Sequence, residues 1–198
     1  MKPAASFSMS LEARGTTQEF EGCELEAYPD PKSGGEPYTI GYGHTSGVCA
    51  GDSCTQDQAA DWFDEDVLWF EDVIRQEVKV PITQGIYDAM VDIVYNVGPG
   101  SSSKDGIIRL KDGSPSTLLR KLNEGDYDGA RAEYPKWCSP GSNVEAGLTR
   151  RREAFLVFWD QPDEDEVEEI ELPSGGALVA LITVVVAVVS ILVYLCFS

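Results

Sequence analysis

From Ala177 to Phe197 the chain reads ALVALITVVVAVVSILVYLCF, 21 residues without a charge or a proline, in which only Thr183 and Ser190 are polar. No other stretch limits the architecture so sharply. A helix of that length rises roughly 31 Å, close to the ~30 Å hydrocarbon core of a bilayer. Helices buried in soluble cores are usually shorter and keep a polar stripe. The segment therefore predicts one transmembrane helix over 177–197, placed after everything else in the chain.

Just upstream, QPDEDEVEEIELPSGG (161–176) holds seven carboxylates, two prolines and a closing Gly-Gly. It has too little apolar surface to build a core and reads as an acidic linker. The nearest Lys or Arg is Arg152, too distant for flanking charge to fix the orientation of the span. The N-terminal MKPAASFSMSLEARG lacks the apolar centre of a signal peptide. The preceding domain is therefore expected to start on the side of the membrane where it is made.

Residues 1–160 remain as one domain, long enough to bury its own core. They carry 15 basic side chains against 27 acidic ones, and the whole chain has a formal net charge of −19. Phosphate recognition needs a basic face, so nucleic acid is excluded as a partner. A single histidine, with no pair of closely spaced cysteines matched by a second, gives no zinc centre. No metal or cofactor is expected. Cys49 and Cys54, in VCAGDSC, are near enough for a short-loop disulfide, which spacing alone neither shows nor forbids.

The patterning of the domain is mostly helical. Residues 10–21 read as a first helix stopped by Gly22. Residues 31–54, with their prolines, glycines and the alternating YTIGYG, read as a small β-hairpin region. Thr55 and Gln58 form a capping box that opens a long helix to about Val78, whose Trp62, Leu68 or Trp69, and Val73 recur at the spacing of a core face. A helix follows over 83–97, with Ile86, Met90, Ile93, Val94 and Val97 on one side. A Gly/Ser-rich loop leads to further helices near 115–124, 127–136 and 144–159. One helix, a small sheet and then helices predict an α+β class with segregated layers.

Within that frame, Glu21 ends the first helix, where unpaired carbonyls place partial negative charge. That charge and partial burial both disfavour a carboxylate and raise its pKa, as a general acid requires near neutral pH. Asp30 sits between Pro29 and Pro31 on an irregular, hydrated loop and should stay ionised. Two carboxyls pushed apart in pKa suit glycosidic cleavage. In a strand over 38–43, Thr39, Gly41 and Gly43 share one face, giving a hydroxyl room for a sugar ring and a water, while Tyr38, Ile40 and Tyr42 share the other. His44 continues the tyrosine face and reads as a hydrogen-bonded structural residue rather than a catalytic one. A Cys–His hydrolase built from Cys23 or Cys49 with His44 lacks an orienting third group; Cys23 reads as a small buried apolar residue.

EGCELEAYPD (21–30) followed by TIGYGHT (39–45) resembles the catalytic signature of bacteriophage-type lysozymes, the endolysins of glycoside hydrolase family 24. QAADWFDED (58–66), YDAMVDIVYNVGPG (87–100), STLLRKLNEGD (116–126) and GLTRRREAF (147–155) continue the resemblance in order, over roughly residues 10–159. It implies a two-lobed α+β fold with the active site between lobes, Glu21 as general acid, and Asp30 and Thr39 holding the attacking water. It further implies that an arginine of the GLTRRR block pairs with Glu21, with Arg150 the best match and Arg151 the fallback, while Arg152 reads as part of a solvated turn. Asn96 resembles part of the cleft floor. Residues 101–114 look like an insertion, and neither the acidic charge nor the C-terminal span is usual in that family.

The resulting expectation is a membrane-tethered muramidase. It would cut the β-1,4 bond between N-acetylmuramic acid and N-acetylglucosamine in peptidoglycan. The tether implies a lipid bilayer, either the host inner membrane or the internal membrane of a lipid-containing virion, with a holin or virion membrane proteins as partners. The competing expectations are a lytic transglycosylase acting on the same bond and a non-catalytic wall-binding or virion protein.

Overall fold

A computed structural model describes residues 1–29 and 34–162 of the chain. Asp30, all but the first two residues of the acidic linker, and the apolar run over 177–197 lie outside the described residues. Among the described residues no helix is long and apolar enough to cross a membrane.

A short 3-10 turn (Ala4–Ser6) precedes α1 (Leu11–Glu21), β1 (Glu24–Pro29), β2 (Tyr38–Gly41), α2 (Gln56–Glu77), α3 (Gln84–Val97), α4 (Thr117–Asn123), α5 (Tyr127–Glu133), a second 3-10 turn (Tyr134–Lys136) and α6 (Glu145–Trp159). The mostly helical pattern with one small antiparallel sheet agrees with the sequence reading. Each start has a local cause. Ser10, Thr55, Thr83, Ser116 and Asp126 each accept a hydrogen bond from the backbone of the first turn, and the Thr55–Gln58 capping box is complete in both directions. Gly22 ends α1 with a φ of 67°, a conformation costly to residues with a Cβ, and so turns the chain into β1.

The sheet pairs Tyr28 with Thr39 and Pro29 with Tyr38, and a register irregularity separates these from the Glu24–Gly41 pair. Residues 52–54 line the other edge of β1 through Ala27 N–H to Asp52 O and Cys54 N–H to Leu25 O, each 2.9 Å. The strand does not run to residue 43 as the alternation suggested. It ends at Gly41, whose φ is 62°, and the chain turns back so that Ile40 and His44 exchange backbone hydrogen bonds.

α3 forms the centre of the helical body. Every residue from Gly85 to Val94 is buried, including Asp88 and Asp92, so the helix is covered on all sides rather than along one stripe. α6 packs against it so closely that a Cβ on Gly85 would lie 1.7 Å from the Phe158 carbonyl oxygen. In α2 the buried stripe is Ala59, Phe63, Val67, Glu71 and Ile74, whereas Leu68 and Trp69 are exposed. The expected face through Leu68 or Trp69 is therefore corrected by a different phase. Glu71 masked the true stripe, because an acid reads as solvent-facing; here its carboxylate accepts from the Met9 N–H and pairs with Arg75 at 3.0 Å.

Residues 101–114 form no helix or strand but are tied to the body. Ile107 is fully buried, its N–H donates to Gly98 O, and Lys104 Nζ donates to Val97 O at the end of α3. Cys23, Cys49, Cys54 and Cys138 are all free thiols, so Cys49 and Cys54 are not bridged.

Candidate active site

The site begins with how α1 is held. At its start, the Ser10 N–H donates to Asp88 Oδ1 at 2.9 Å, and Met9 N–H is held by Glu71. These contacts put negative charge beside the free N–H groups of the first turn, where it is favoured. Toward its end, the Thr17 hydroxyl donates to Asp92 Oδ1 at 2.9 Å. The last residue, Glu21, is thereby carried to a fixed place against α3 and α6.

Glu21 Oε1 accepts a hydrogen bond from Arg151 Nη1 at 2.6 Å, and one fifth of its side chain remains exposed. Burial raises its pKa above the usual carboxylate range, and Arg151 opposes that shift without cancelling it. Of the two influences, burial is the larger. The carboxyl that results holds its proton further toward neutral pH than an ordinary glutamate, which is the property of a proton donor.

The arginine beside Glu21 is not Arg150, which is exposed. Three consecutive arginines on one helix point about 100° apart, and the phase of α6 turns Arg151 and Arg152 inward. Arg152 is a second correction: it is fully buried, with Nε donating to Trp137 O at 3.1 Å and Nη2 to Asn96 Oδ1. Asn96, near the end of α3, is thus positioned by Arg152.

Thr39 faces Tyr28 across the sheet as its register partner. The Tyr28 phenol is pushed up by burial first and by the negative charge of Glu21 second, so Thr39, Tyr28 and Glu21 occupy one neighbourhood. Gly43 adjoins it: a Cβ there would lie 3.7 Å from Glu21 Oε2 and 3.9 Å from the Tyr95 hydroxyl. The space expected at Gly41 is absent, because Ala59 Cβ would lie 3.1 Å from a Cβ at that position. Open room beside Glu21 is provided by Gly43 alone of those two glycines. Tyr95 completes the wall, donating its hydroxyl to Tyr42 O at 2.7 Å.

His44 lies 2.9 Å through Nδ1 from Asp66 Oδ2, 3.0 Å through Nε2 from Ser46 O, and stacks on Trp62. Both ring nitrogens are engaged with oxygens, so neither is free to activate Cys23 or Cys49. Asp30 lies outside the described residues, between Pro29 on β1 and the start of β2.

Sequence reasoning missed Asp92, the buried carboxylate behind Arg151. Nε of Arg151 lies 3.1 Å from each Asp92 oxygen and Nη2 lies 2.7 Å from Oδ1. A signal was present: Asp88 and Asp92 stand four residues apart in the most apolar helix of the domain, where an acid needs a buried partner. Tyr28 and Tyr95 were likewise not singled out.

Comparison with known proteins follows the same lines. The family described as phage lysozyme matches residues 18–154. An endolysin of Acyrthosiphon pisum secondary endosymbiont phage 1 is 37% identical over 145 residues, covering 71% of this chain and 90% of its own length. An endolysin of Bacillus phage PZA is 40% identical over 67% of this chain, which spans about half of that relative, 47%. Among solved structures, the muramidase domain of SpmX from Asticaccaulis excentricus superposes with a TM-score of 0.65 at 28% identity, over 78% of this chain and 99% of that one.

Proposed function

The chain belongs to the phage lysozyme family and is a glycoside hydrolase of the lysozyme type, and on that premise we propose that it is a membrane-tethered muramidase with Glu21 as its acid. Its substrate is peptidoglycan, and the bond cut is the β-1,4 link from N-acetylmuramic acid to N-acetylglucosamine. The observation that carries the reading is Glu21, largely covered at a helix end and with a raised pKa although a guanidinium lies 2.6 Å away.

In the proposed reaction Glu21 gives its proton to the glycosidic oxygen as the bond from C1 of the muramic acid breaks. Positive charge develops at C1, and a water attacks from the opposite face of the ring. Asp30 takes a proton from that water, while the Thr39 hydroxyl holds it in line; the products are a muramic acid of inverted configuration and a free 4-hydroxyl. Arg151 steadies the Glu21 carboxylate once its proton has left. The Gly43 position leaves the acid open to the sugar on its Oε2 side. The apolar run at 177–197 anchors the enzyme in a bilayer, either the host inner membrane or the inner membrane of a lipid-containing virion.

Digestion of purified peptidoglycan by the full chain in detergent, read by mass spectrometry, tests the chemistry. Reducing muramic acid ends are expected. A 1,6-anhydro product makes the enzyme a lytic transglycosylase, and no released fragment makes it a wall-binding protein. Fractionation of host membranes and purified virions tests the tether, and recovery in the soluble fraction alone removes it.

A further inference from the structure

A proton donor that sits against an arginine has its ionised form favoured by the cation. Glu21 sits against one at 2.6 Å and still keeps a raised pKa. The surroundings show why burial prevails. Arg151 spends its other donors on Asp92: Nε reaches both carboxylate oxygens at 3.1 Å and Nη2 reaches Oδ1 at 2.7 Å. Asp92 is fully buried, takes the Thr17 hydroxyl as well, and has Arg152 Nη1 3.6 Å from Oδ2. That Arg152 nitrogen has no hydrogen-bond partner among the described residues.

The groups facing the pair come from every neighbouring element: Arg151 and Arg152 from α6, Asp92 and Tyr95 from α3, Tyr28 from β1, and Tyr134 beside Asp92. With Glu21 ionised, the two carboxylates balance the two guanidinium groups; with Glu21 protonated, one positive charge is in excess. Without Asp92, Glu21 would face both cations alone, and the freed Arg151 donors could turn onto it.

We propose that Asp92 is a positioning residue of the reaction, which grips Arg151 from behind and so sets how readily Glu21 releases its proton. The proposal rests on the reading of Glu21 as the donor. Its chemistry is simple: Asp92 offsets the charge of Arg151 and occupies the donors that would otherwise favour loss of the Glu21 proton before substrate arrives.

The test is a pH titration of the Glu21 side-chain carboxyl by carbon NMR in the full chain in detergent, alongside kcat/KM against pH on purified peptidoglycan. Asp92→Asn is expected to lower the Glu21 midpoint by about one pH unit or more. The alkaline limb of kcat/KM, where the donor is lost, should move down by the same amount. If Asp92→Asn does not fold, Asp92→Asn with Arg152→Met, which removes one charge of each sign, carries the test. Its midpoint should also fall, by a smaller step, because Asp92 acts on Glu21 more strongly than Arg152 does. An unmoved midpoint in either folded variant, whatever the loss of activity, makes Asp92 a structural residue and overturns the proposal. A midpoint that moves while the limb stays fixed overturns Glu21 as the donor, and with it any part for Asp92 in the reaction.

Discussion

Arg151 Nη1 and Glu21 Oε1 meet at 2.6 Å although 130 positions separate them in the chain. That meeting joins the last helix of the described domain to the end of the first, and several outcomes depend on it.

Glu21→Gln removes the proposed proton donor without changing its shape. Hydrolysis of purified peptidoglycan should fall by about 10²–10⁴-fold, with the far-ultraviolet circular dichroism unchanged.

The same substitution reads out the burial of the acid. Because the folded pKa of Glu21 is raised, its contribution to stability is fully present below the unfolded value of about 4.3 and is lost as pH rises through the folded value. The Tm of Glu21→Gln relative to the parent chain should therefore increase across that window and be flat below it. Thermal melts at stepped pH measure this, and a relative Tm that falls with rising pH would contradict the assignment.

Arg151→Met leaves Asp92 buried without its main partner and should cost about 3–5 kcal/mol in urea unfolding. Arg150→Ala, one residue earlier and exposed, should change stability by about 0.5 kcal/mol or less. Equal effects of the two would mean that α6 has a different phase.

Thr39→Val keeps the shape of the side chain and deletes the hydroxyl, while Thr39→Ser keeps the hydroxyl and deletes a methyl. Turnover should drop by about 10²-fold in the first and by less than about tenfold in the second. Parallel losses would show that Thr39 contributes packing and not a hydrogen bond.

Gly85→Ala sets two principles against each other. Helix propensity alone favours alanine by about 1 kcal/mol. The added Cβ, however, would lie 1.7 Å from the Phe158 carbonyl oxygen, and overpacking of that kind should make the variant about 3 kcal/mol less stable. Chemical denaturation decides between them.

The ends of the elements were legible because they are local chemistry. The Gly22 stop and the Thr55–Gln58 box depend on a few adjacent residues, and each stands where the sequence put it. The placement of Glu21 followed directly. The phase of the helices was less legible. Nothing local chooses among Arg150, Arg151 and Arg152; the choice is made by Asp92 and Asn96 on α3 and by the Trp137 carbonyl, all distant in sequence. Buried acids misled for a related reason. Glu71 and Asp92 read as solvent-facing until the arginines that compensate them are in place. The strand over 38–43 was read two residues too long, since the chain reverses at Gly41, whose positive φ glycine adopts without a Cβ penalty.

Order of synthesis gives the Glu21–Arg151 contact a temporal meaning. Translation delivers Glu21 early and Arg151 only when nearly all of the first 160 residues have been made. A polypeptide that ends before residue 151 carries Glu21 without the guanidinium that fixes it. The geometry around Glu21 is therefore completed only late in synthesis, by the last helix of the described domain.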